Sequence, residues 1–140
     1  MQTSTPLNWA RITQYAVLMF LVHFSVGLLE GVLTSGVADR ETMIRQMVIG
    51  LGAILLLDLA LFARLAYRQR ERRMQHAAVV FLLMLGIAQV FDAVISLALP
   101  SGQPALLAVL ELSASALGLL SGTWLGYVAS LRRGGKLDAC

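Results

Sequence analysis

Four carboxyl side chains lie inside long apolar runs of this chain: Glu30, Asp58, Asp92 and Glu111. His23 shares the first of those runs with Glu30. Carboxyl and imidazole groups so placed suit three kinds of chemistry. They can relay protons, since histidine changes charge near neutral pH. They can serve as an acid and a base on a buried substrate when their environments separate their pKa values. They can also ligate a metal, although one imidazole among carboxylates is a weak set for a hard or borderline ion.

The rest of the chain offers little competing chemistry. Cys140 is the only cysteine and the last residue, so it has no disulfide partner and no thiolate metal site. Ser101-Gly-Gln and Gly134-Gly are turn material rather than phosphate cradles. Nucleophile triads and dinucleotide fingerprints are missing. His76 lies at the mouth of another apolar run, roughly 6–10 Å from His23 in height, which argues against a haem held by both. No cofactor and no metal is expected.

These groups must be positioned by helices that cross a membrane. Of 140 residues, 58% are hydrophobic and only 14% are charged, against about a quarter in ordinary soluble domains. Four blocks approach or exceed the roughly 20 apolar residues that a bilayer requires. They run from about Ile12 to Ser35, Met43 to Ala66, His76 to Leu99 and Pro104 to Leu131. Gly36 to Glu41, Tyr67 to Arg73 and Pro100 to Pro104 separate them. Connections this short predict antiparallel sequence neighbours. The expected fold is therefore an all-α integral membrane protein, one antiparallel four-helix transmembrane bundle over residues 1–140. A cleaved signal peptide ending near Ala38 is the alternative for the first run, but signal sequences rarely hold His and Glu.

Charge orients the bundle. With both termini in the cytoplasm, the inner side carries Arg11, Arg64, Arg68, Arg70, Arg72, Arg73, Arg132, Arg133 and Lys136, and the outer side only Arg40 and Arg45. This bias predicts cytoplasmic termini in a bacterial-type inner membrane and argues against dual topology, which would need balanced loops. Arg68, Arg70, Arg72 and Arg73 form a patch for anionic lipids. The formal charge of +3 does not indicate nucleic acid, because basic residues interleaved with aromatics are absent.

Each span holds one acid. An Asp near a helix centre costs about 2.5–3.5 kcal/mol to insert, while each Leu or Ile returns about 0.3–0.6. Such residues belong in the bundle interior, paired or lining a wet cavity. Depth sorts them into two layers. His23 and Asp58 lie roughly 12–17 Å from the inner boundary, and Glu30, Asp92 and Glu111 roughly 8–12 Å from the outer one. Ala16, Phe20, His23, Gly27, Glu30 and Thr34 share one face of the first span. Gly86, Gln89, Asp92 or Ala93, and Ser96 align in the third, and Glu111, Ser115, Gly118 and Gly122 in the fourth. The expectation is a His23–Asp58 pair beneath a cluster of three carboxyls.

Gly118, Gly122 and Gly126 form a doubled GxxxG, which permits close helix approach inside the chain or between copies. Three functions fit. A proton-linked transporter or channel-like bundle for a small solute or ion would use the five residues as a relay. A membrane-embedded isomerase, epoxide-opening enzyme or cyclase would use them as acid–base pairs on a lipophilic substrate. In an interaction or immunity protein the acids would be structural glue.

Overall fold

The computed structural model describes residues 7–36, 39–69, 72–98 and 105–134. It is all-helical: α1 (Trp9–Thr34), α2 (Arg40–Arg68), α3 (Arg73–Ala98) and α4 (Ala105–Gly134). All four helices are long and apolar enough to cross a membrane. The first three begin about three residues before the apolar runs do. Hydropathy marks where lipid begins, whereas a helix begins where its free amides find acceptors. Asn8 caps α1, its side chain accepting from the Arg11 amide at 3.1 Å. Asp39 caps α2. It accepts from the Thr42 hydroxyl at 2.7 Å, the Thr42 amide at 3.0 Å and the Glu41 amide at 3.4 Å. The Thr42 hydroxyl and then these amides hold the Asp39 carboxyl below its ordinary range. Just past α1, Gly36 has φ of 87°, a left-handed conformation open to glycine. Arg70 and the Pro100–Pro104 turn lie outside the described residues.

α1 packs against α2 and α3, α2 packs most closely against α4, and α3 makes smaller contacts with α2 and α4. α1 and α2 are antiparallel, as the short connection requires: His23 meets Asp58, and Glu30 meets Gly50. The most intimate pair is α2 with α4, and these run parallel. Gly118 rests on Asp58, Gly122 on Leu59 and Phe62, and Gly126 on Ala63 and Ala66, so both helices advance by four residues per contact. A β-carbon at Gly122 would stand 2.5 Å from the Leu59 carbonyl oxygen. Of the two uses open to the doubled GxxxG, packing inside the chain is the one observed, and the face proposed for self-association is occupied by α2. α1 and α4 do not pack against each other among the described residues.

The core is concentrated at the end carrying the termini. Ile12, Tyr15, Ala16 and Met19 of α1 meet Phe62 and Leu65 of α2, Ala77, Val80 and Met84 of α3, and Leu119 of α4. His76 closes this end. Its Nε2 accepts from the Asn8 amide at 3.3 Å and its Nδ1 faces the Arg72 carbonyl at 3.1 Å, which a neutral Nδ1–H ring satisfies at both nitrogens. Arg73 lies 5.0 Å over the Tyr127 ring. Toward the other end, Phe20, Phe24 and Phe91 join α1 to α3, with edge contacts at 5.3 Å. Beyond them the helices part. From Gln89 to Leu97 only Ile95 is even partly buried, and from Gly27 to Gly36 only Glu30 and Thr34 are. Among the described residues, α1 and α3 are most buried toward their Trp9 and Arg73 ends, and least buried toward Thr34 and Leu97.

Candidate functional site

Asp58 anchors the site. Its row on α2, spaced by four residues, is Gln46, Gly50, Ile54, Asp58 and Phe62, and this row is the buried face of the helix. Gly118 leaves no side chain between α4 and Asp58, so a β-carbon there would stand 2.7 Å from the Asp58 β-carbon. Asp58 is consequently 0% exposed. Its Oδ1 lies 2.8 Å from His23 Nε2. Its Oδ2 is buried with no hydrogen-bonding partner among the described residues. A buried acceptor left unpaired costs about 1–3 kcal/mol, more when charged. That oxygen is thus the point at which a proton or a small donor has most to offer. The His23–Asp58 contact can itself carry a proton on either atom.

Glu30 lies two turns further along α1. Its carboxyl sits directly on Gly50 of α2, in space that any β-carbon at position 50 would fill. Glu111 of α4, partly buried, is within electrostatic reach of both Glu30 and His23. Three helices therefore contribute to one polar group along the gap between α1 and α4, which do not touch each other among the described residues. Thr34 and Gln46 stand at its Glu30 end. The Thr34 hydroxyl donates to the Glu30 carbonyl at 2.7 Å, and the Gln46 amide reaches the Leu33 carbonyl at 3.5 Å.

The expected pair, His23 with Asp58, is present. Of the three expected outer carboxyls, Glu30 and Glu111 come together and Asp92 does not. Asp92 is exposed on the outside of α3, with Gln89 and Ser96. Helical phase correctly puts these residues on one line, but an almost wholly apolar helix does not reveal which line faces inward. Gly50 and Gln46 were missed, although their four-residue spacing from Asp58 was readable. Among the described residues no three His, Cys, Asp or Glu side chains converge as metal ligands would. A separate groove of about 600 Å³ runs between α1 and α3, lined by Phe20, Ile87, Val90 and Phe91 among other apolar residues.

Comparison of the chain with protein-family models, with characterised proteins and with solved structures finds no match. Function must therefore be argued from this polar group.

Gly50 provides a local test of that geometry. Gly50→Ala would displace the far end of a flexible side chain, not backbone. The alanine also returns about 0.8–1 kcal/mol of helix propensity. The variant is expected to keep its melting temperature while Glu30 leaves its seat. The check is the rate of Glu30 modification by a lipid-soluble carbodiimide, which should rise several-fold. An unchanged rate would mean that Glu30 is not seated on Gly50.

Proposed function

We propose that the chain is a plasma-membrane protein of bacterial type, with cytoplasmic termini, that moves protons along the gap between α1 and α4 as part of transporting a small solute or ion. The observation that carries this reading is the His23–Asp58 pair, with Glu30 and Glu111 on its side away from the apolar core. In the proposed orientation that side faces outward. A proton arriving from outside would meet two carboxylates, then His23, then the unpartnered oxygen of Asp58. Below Asp58 the apolar core around Phe62, Leu65 and Met19 blocks further passage. Onward movement thus requires the helices to re-pack. Intramembrane ionisable groups mark such pathways. The arginines near the inner boundary, Arg68, Arg70, Arg72 and Arg73, would hold anionic lipid.

An enzyme acting on a lipophilic substrate would place its acids against an apolar pocket. The apolar groove lies between α1 and α3, and no carboxyl lines it. The transport reading is preferred on that ground.

The test is proton movement in liposomes loaded with a pH-sensitive dye, with an imposed pH gradient and a potassium ionophore. Wild-type protein is expected to collapse the gradient well above the rate of empty vesicles. Asp58→Asn is expected to lower that excess at least tenfold while eluting as wild type from a sizing column. Equal rates for the two proteins, or no excess for wild type, would remove the proposal.

A further inference from the structure

We propose that the outward face of α3 is a homodimer interface, in which Gln89 of each copy donates to Asp92 of the other. The inference rests on the chain spanning a membrane in one orientation, and not on what passes between α1 and α4. Gln89, Asp92 and Ser96 fall within one narrow stripe of α3, and all three are exposed. The faces of α3 that meet the rest of the chain are elsewhere, at Ala77, Val80, Met84 and Phe91. Within a span, a carboxyl turned toward lipid is costly, and such groups pair with one another or with other polar groups. No other described element covers Asp92, so its cover comes from outside the chain.

A second copy fits this face better than an unrelated helix. Copies inserted with one orientation are parallel, and a two-fold axis along the membrane normal sets identical residues at identical depth. Gln89 is then three residues, roughly 4.5 Å, from the height of the opposing Asp92. An extended glutamine amide covers that rise. The symmetry repeats the bond, so each copy offers one donor and one acceptor and both are used. Gly86 and Ala93 flank the stripe and allow close approach. The Ser96 hydroxyl already donates to the Ala93 carbonyl at 2.9 Å, which leaves its oxygen free only to accept.

The experiment counts copies in liposomes by single-molecule photobleaching at increasing lipid dilution, and requires no flux measurement. Wild type is expected to show two copies per spot. The double variant Gln89→Leu, Asp92→Leu keeps an apolar helix surface, and is expected to associate about tenfold more weakly. In a second arm, on a Cys140→Ser background, Ser96→Cys should form an intermolecular disulfide in membranes, whereas Leu120→Cys on the exterior of α4 should not. Monomeric wild type at every dilution would overturn the interface. So would a dimer that survives the double variant, or Ser96→Cys crosslinking to a different protein.

Discussion

Gly122→Leu is expected to lower the melting temperature by roughly 10 °C or to leave no monodisperse protein in detergent. A side chain at position 122 meets the Leu59 carbonyl oxygen, the Leu59 α-carbon and the Phe62 β-carbon. None of these can swing aside, in contrast to the Glu30 carboxyl over Gly50. Overpacking a close-packed site costs about 1–3 kcal/mol, occasionally more. Here the cost spreads, because forcing the two axes apart at Gly122 also lifts Gly118 off Asp58 and Gly126 off Ala63. Gly52 is the control. A β-carbon there meets nothing within 4 Å, so Gly52→Leu should be nearly silent. Thermal unfolding of both variants decides the matter. A Gly122→Leu protein as stable as wild type would show that α4 does not depend on this seam.

The second large effect lies in the His23–Asp58 pair. His23→Leu alone is expected to destabilise by about 3–5 kcal/mol, the range for stripping one partner from a buried ion pair. The loss should be severe because Asp58 Oδ2 already has no partner, so the variant leaves both carboxyl oxygens unmatched. His23→Leu with Asp58→Leu is expected to recover most of that loss, since a buried pair exchanged for apolar groups is often neutral. The double-mutant cycle measures the coupling directly. Neutral hydrogen bonds between membrane helices average about 0.6 kcal/mol. A coupling that small would identify a neutral pair and overturn the expected loss of about 3–5 kcal/mol. The folded but pairless double variant should also lack proton movement, which separates stability from transport.

Much of this arrangement was readable before any coordinates, and the limits have physical causes. The four spans follow from composition, since lipid demands length and apolarity and little else. The meeting of His23 with Asp58 follows from depth, because antiparallel neighbours of known length bring known residues level. The doubled GxxxG announces a close approach but not its partner, because any smooth helix face can receive it. That partner is α2, whose parallel direction follows from the short connections but whose closeness to α4 does not, since the two are not adjacent in the chain. Asp92 was misplaced for a related reason. In water the apolar face of a helix points inward, but in lipid both faces are apolar and the signal vanishes. The seat of Glu30 on Gly50 escaped because a glycine's meaning depends on what stands opposite it.

The parallel seam between α2 and α4 also bears on how the protein is made. Helices leave the ribosome in order, and α2 enters the bilayer long before α4 exists. Until the last span has been synthesised and has crossed, nothing rests on the Gly118 side of Asp58. The nascent chain therefore carries an incompletely sheltered carboxyl in the bilayer through the synthesis of α3. Its concealment is the closing step of assembly, and a chain that stalls before α4 displays Asp58 to whatever surveys the membrane for unfinished proteins.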